Sequence, residues 1–152
     1  MTGFEPLLVR QDWSRATDRD WAEVLAKLPL FSRLGKRRLR KVARQARFVE
    51  FAAGDTVVSA GAPGDSLYVI LGGEARARGR RAARPLRPGD YFGEMALLDG
   101  EPRSATVVAT EPLHVMRLPR PSFLEVAEED PGIALAMLAE LARRVRRLEK
   151  TD

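Results

Sequence analysis

The stretch YFGEMALLDGEPRSATVVA, Tyr91 to Ala109, sets Glu94 and Arg103 among small and apolar residues. A plain turn tolerates almost any polar side chain, so glycine, alanine and serine crowding around one acid and one base need another reason. A backbone able to approach a small anionic guest would supply it.

Outward from this stretch, between Arg47 and Leu118, the texture is that of short strands: FVEF, TVVSA, SLYVIL, EARARG, ATVVAT and LHVMRL. They are separated by the turn signals AAGD, GAPGD, GG and RPGD, and strands at such regular spacing predict an antiparallel sandwich or barrel rather than βαβ units. Gly54, Gly61, Gly64, Gly73 and Gly89 fall at these turns, where a positive φ costs glycine nothing. The core expected is a β-roll over residues 47–119.

Helical periods flank it. Trp21, Val24, Leu25 and Leu28 mark one apolar face that stops at Pro29, and a second helix after Gly35 is expected to bury Leu39, Val42, Ala43 and Ala46. In that second helix Arg37, Arg38, Lys41 and Arg44 are expected to face water. Residues 1–16 show no period and read as an arm anchored by Phe4, Leu7, Leu8 and Trp13. Toward the C-terminus, over residues 120–150, a short helix carries Phe123, Leu124 and Val126. A longer one begins at Asp130-Pro131. Its residues Ala134, Leu138, Leu141, Val145 and Leu148 form a heptad-like seam suited to a lid, a core contact or a homodimer interface. The expected division is an arm, 1–16, and one domain, 17–152, whose first helices span 17–46.

Composition narrows the classes. The 152 residues suit one domain, and the absence of cysteine excludes disulfides and thiolate metal sites, which is compatible with a reducing, cytoplasmic setting. No uncharged apolar run approaches the roughly 18–20 residues needed to span a bilayer, and no membrane partner is expected. The net charge of +5 keeps nucleic acid or an acidic surface in view. The lysines among the 26 basic residues are Lys27, Lys36, Lys41 and Lys150, an arginine bias that fits genome composition as readily as function. No pair of helices follows the long C-terminal one, so no helix-turn-helix for DNA is expected. An enzyme is not expected either: His114, the lone histidine, alternates with Leu113 and Val115 on a strand, and no nucleophile–base pair or metal constellation accompanies Glu94, Asp99 and Glu101.

One small anionic guest to consider is a cyclic phosphate diester on ribose. Its single charge and exocyclic oxygens call for a guanidinium and backbone N–H donors when water is excluded, which Arg103 and a helical turn over EMALL can provide. Glu94 would repel a phosphate unless it were occupied by a donor, and a ribose 2′-hydroxyl is one.

FGEMALLDGEPRSATVVA resembles the phosphate-binding cassette of the cyclic-nucleotide-binding domain family, in the form seen in bacterial cyclic nucleotide-gated potassium channels, and its RSA is shared with the catabolite activator protein. LPLF, GAPGDSLYVILGGEARA and RPGDYFGE extend the resemblance over roughly Trp21 to Lys150. It implies an α+β fold: an antiparallel, jelly-roll-like β-roll flanked by N-terminal helices and a C-terminal lid helix. It implies a cassette over 92–106 in which Glu94 binds the ribose 2′-OH and Arg103 the phosphate. Phe92, Gly93, Met95, Ala96, Ser104 and Ala105 would line the pocket. The ligand implied is cAMP, less readily cGMP, with Ser104 rather than threonine favouring cAMP, and no further cofactor. The C-terminal helix has no Ser or Thr to offer adenine, which leaves Arg143, Arg144 and Arg147 as candidates to stack on the base. The implied role is a sensor that passes its signal to a downstream protein partner. Two other readings stay open: a structural Glu94–Arg103 ion pair with no ligand, and an interaction module for protein or nucleic acid.

Overall fold

The structure is a computed structural model that describes residues 12–79 and 83–150. Helix α1 (Asp18–Ala26) starts at a capping box in which the Thr17 hydroxyl accepts from the Asp20 amide while the Asp20 carboxylate accepts from the Thr17 amide. A 3-10 turn (Pro29–Phe31) and α2 (Lys36–Ala43) follow. The strands are β1 (Arg47–Phe51), β2 (Thr56–Val58), β3 (Ser66–Gly72), β4 (Ala75–Arg78), β5 (Arg84–Leu86), β6 (Tyr91–Phe92), β7 (Thr106–Ala109) and β8 (Leu113–Pro119). A short helix α3 (Glu94–Asp99) interrupts them, and α4 (Arg120–Glu129) and α5 (Pro131–Lys150) close the chain.

The strands form two four-stranded antiparallel sheets, ordered β1-β8-β3-β6 and β2-β7-β4-β5. This is the antiparallel β-roll flanked by helices that the turn spacing and the resemblance lead one to expect. Strands β5 and β6 were not marked by the sequence pattern, because three and two residues are too short to show a period.

Strand β3 explains how the layers meet. Its residues SLYVIL are buried on both faces: Leu67, Val69 and Leu71 join the helical core with Trp21, Leu25, Phe31 and Phe123, while Tyr68 and Ile70 join the core between the sheets. A strand covered on both sides has no polar alternation to display, hence its continuous apolar run. Leu97 of α3 is fully buried in the helical core, which fixes the position of the segment carrying Glu94.

Three expectations are corrected. Gly64 does not adopt a positive φ; it is small because a Cβ there would sit 2.4 Å from the Ala96 Cβ and 2.5 Å from the Glu101 carbonyl oxygen. Arg38 and Lys41 do not simply face water, since both hold Asp130 at the α4–α5 junction, at 3.0 Å each. The C-terminal seam is not the core face: Leu138, Val145 and Leu148 are exposed, and the buried residues of α5 are Ile133, Met137 and Glu140. The buried row lies one residue, about 100° of helix rotation, from the seam. It was passed over because Glu140 interrupts it with a charge. Trp13 is buried and stacked on Trp21 at 5.6 Å, whereas Phe4, Leu7 and Leu8 lie outside the described residues. Among the described residues no helix is long and apolar enough to cross a membrane.

Candidate functional site

Helix α3 is bounded by glycines in the left-handed region, Gly93 (φ 84°) before it and Gly100 (φ 69°) after it. At Gly93 glycine is required twice over. The backbone conformation disfavours any side chain, and a Cβ would lie 2.4 Å from both Arg103 Nη1 and the Ser66 carbonyl oxygen. Gly93 therefore lets the chain pass directly over the Arg103 guanidinium, and it leaves the first turn of α3 without a side-chain cap.

Arg103 is 9% exposed, an unusual burial for arginine. Its Nη2 donates to the Ser66 carbonyl oxygen at 2.6 Å and lies 3.6 Å from Asp65, and the guanidinium sits 5.8 Å from the Tyr68 ring centroid. Tyr68 in turn stacks on Phe92 at 5.0 Å. Arg103 Nε is buried with no hydrogen-bond partner. Nη2 is thus anchored, and Nε on the same edge of the guanidinium is a buried donor without a protein partner, which is costly unless an acceptor arrives.

Glu94 lies on the same rim, 16% exposed at its side chain. Its partner is not Arg103: Arg144 Nη1 of α5 donates to Glu94 Oε1 at 3.0 Å, and Glu94 Oε2 is buried without a partner. The structural Glu94–Arg103 pair is therefore absent. Arg144 also approaches Glu140 at 3.5 Å, and Arg143 donates two bonds to Glu140 at 3.0 and 2.8 Å. The Arg143 bonds, with those of Arg144, hold the buried Glu140 carboxylate down at about 2 against the opposing effect of burial. Burial disfavours charge on Arg144, but its contacts with Glu94 and Glu140 outweigh this and raise its pKa. Burial, then the charge of Glu94, also pushes the Tyr91 phenol up.

Glu94 and Arg103 open onto a cavity of about 300 Å3, at the lower end of the range for small-molecule sites. Phe92, Gly93, Glu94, Met95, Ala96, Arg103, Ser104 and Ala105 all line it. The arginines proposed as a base lid divide: Arg144 reaches Glu94, while Arg143 is turned to Glu140 and Arg147 is exposed, and none of the three lines the cavity. Sequence reasoning missed the strand-borne wall, Val58, Ala77, Arg84, Leu86 and Val107, and the supports of Arg103, Asp65 and Ser66. It also missed Glu140, although the spacing Ile133, Met137, Glu140, Arg144 marks a single helix row. His114 takes no part; it meets Phe48 edge to face at 5.7 Å. No group of three or more His, Asp or Glu able to hold a metal occurs among the described residues.

Comparison with known proteins gives a consistent picture. The family model described as the cyclic nucleotide-binding domain matches residues 48–130. A cAMP-dependent protein kinase regulatory subunit of Aspergillus fumigatus is 40% identical over 108 residues, which are 69% of this chain and 26% of that protein. A cyclic nucleotide-gated potassium channel of Mesorhizobium japonicum is 35% identical over 133 residues, 88% of this chain and 36% of that protein. The chain thus spans between a quarter and about a third of these relatives. Among solved structures, the N-terminal domain of a Streptomyces coelicolor transcriptional regulator superposes with a TM-score of 0.73 at 29% identity, covering 84% of this chain and 95% of that one. The catabolite activator protein of Thermus thermophilus gives 0.60 at 31% identity, covering 82% and 61%.

Proposed function

The chain belongs to the cyclic nucleotide-binding domain family, and from that premise we propose that it is a sensor of a purine cyclic nucleotide, cAMP in preference to cGMP. The observation that carries the reading is Arg103, buried in a cavity wall with its Nε dehydrated and unpartnered. A cyclic phosphate supplies the missing acceptor. Gly93 and the uncapped first turn of α3 bring backbone amides alongside. Glu94 Oε2 is the free acceptor for the ribose 2′-hydroxyl, its other oxygen being held by Arg144. Ser104 stands beside Arg103 for a further contact with the phosphate or base.

The same geometry supports a route for the output. Glu94 belongs to the ligand pocket and Arg144 to the C-terminal helix, so a ligand hydroxyl on Glu94 changes the field that holds Arg144. A ligand shifts a conformational equilibrium by as much as its affinity for the two states differs. The C-terminal helix is therefore the element whose position responds, and a downstream protein, or a second copy through the exposed seam of α5, reads it.

Calorimetric titration of the whole chain with cAMP and with cGMP tests this. Saturable binding with cAMP the tighter is the expected result. Absence of heat, together with no thermal shift for either nucleotide, would overturn the sensor reading and leave a family member with an empty role for Arg103.

A further inference from the structure

A concavity larger than the nucleotide pocket lies elsewhere on the molecule. A groove of about 720 Å3 lies between α1 and α2, and it shares no lining residue with that pocket. Its apolar lining is formed by Ala22 and Leu39, both buried, and by Ala26, which is exposed. Around these stand Arg19, Lys36, Arg37 and Arg40, all exposed and none in an ion pair among the described residues. Lys41 and Arg44 at the edge are already engaged, by Asp130 at 3.0 Å and Asp18 at 3.7 Å. Glu23 is the single acid in the lining among the described residues.

The cations are not there for the helix. The first turn of α2 has no acidic residue, and its cap, Gly35, makes no side-chain hydrogen bond. Lys36 and Arg37 in that turn oppose the helix dipole, so they lower local stability. An apolar floor between two helices, rimmed by unpaired cations, is complementary to one kind of surface: an apolar stripe flanked by carboxylates. Nucleic acid matches the charge but offers phosphates without an apolar stripe, and the groove floor would gain nothing from it.

We propose that the α1–α2 groove docks an acidic amphipathic helix of a partner protein. Its apolar stripe lies over Ala22, Ala26 and Leu39, and its carboxylates reach Arg19, Lys36, Arg37 and Arg40. Lys41 at the groove edge and Arg38 beside it both hold Asp130, just before α5, which links the groove mechanically to the C-terminal helix. The proposal stands on the groove itself and does not depend on nucleotide binding.

The test is fluorescence anisotropy of the full chain with a labelled synthetic helix of about 18 residues, leucines at i, i+3, i+4 and i+7 and glutamates beside them. The comparison ligands are a scrambled peptide of the same composition and a DNA duplex of similar charge. The expected result is binding of the amphipathic peptide at least about tenfold tighter than the scrambled one. That advantage should be lost in the double variant Arg37→Glu/Arg40→Glu and in Ala26→Asp, whose thermal melts report whether each is folded. Equal affinity for the scrambled peptide, tighter binding of the duplex, or no binding of the amphipathic peptide would each overturn the proposal.

Discussion

Arg103→Ala is the perturbation with the largest calculable effect. The Arg103 side chain is 6% exposed and surrenders Nη2 to the Ser66 carbonyl oxygen at 2.6 Å, leaving Nε without a partner. Removing one partner of a desolvated, hydrogen-bonded charge pair costs about 2–5 kcal/mol of binding. At about 1.4 kcal/mol per factor of ten, cAMP affinity should fall by about 30-fold to several thousand-fold. The substitution also strips a partner from the carbonyl of Ser66, a residue with no exposed surface, at about 1–3 kcal/mol of stability if that oxygen stays dry. Binding must therefore be measured by calorimetry at a temperature where a melt shows the variant folded. Arg103→Lys separates charge from geometry, because lysine keeps the charge without the planar fork, and its affinity should lie between the two. A folded Arg103→Ala variant binding cAMP within about threefold of wild type, against the range expected for a lost charge partner, would refute the assignment of Arg103 to the phosphate.

Other predictions follow from the same geometry. Glu94→Gln should weaken cAMP more than its 2′-deoxy analogue in parallel titrations, and equal losses would remove the ribose role from Glu94. Gly93→Ala should lower the melting temperature, with a cost of about 1–3 kcal/mol for a strained backbone position before the collision with the Ser66 carbonyl is counted, and should weaken ligand as well. Arg144→Ala should abolish the ligand-dependent change in hydrogen exchange along the last two turns of α5 while leaving cAMP bound; an unchanged response would place the coupling elsewhere. Glu140 has a folded-state pKa lowered from 4.5 to about 2, so its stabilising contribution is complete above the ordinary carboxylate value and lost as pH falls toward 2. Thermal melts of wild type should therefore decline over that acid range more steeply than those of Glu140→Gln.

How much of this was legible beforehand differs by element. Turn glycines, strand-length apolar runs and helix stops are local signals, and the two helices before the roll, six of its strands and the helical C-terminus carry them. Strands of two or three residues carry none, and β5 and β6 exist only because β4 and β3 are there to pair with them. The cassette was legible because its chemistry is concentrated in a few consecutive residues: Gly93, Glu94, Arg103 and Ser104 are close in sequence as well as in space.

The partners of those residues are another matter. That Glu94 meets Arg144, fifty residues away, rather than Arg103 was settled by where α5 packs, and that packing turns on a buried glutamate within the helix row. Periodicity scores Glu140 as polar and so selects the neighbouring row, although in the folded chain Arg143, Arg144 and Arg33 neutralise it. The amino-acid sequence by itself determined the roll, the family and the cassette residues that line the cavity, because each is written in short-range pattern. The tertiary structure alone decided which helix face is buried, which arginine guards Glu94 and where an unpaired basic groove is left open. Those outcomes depend on charges and apolar surfaces that meet only after distant segments have packed.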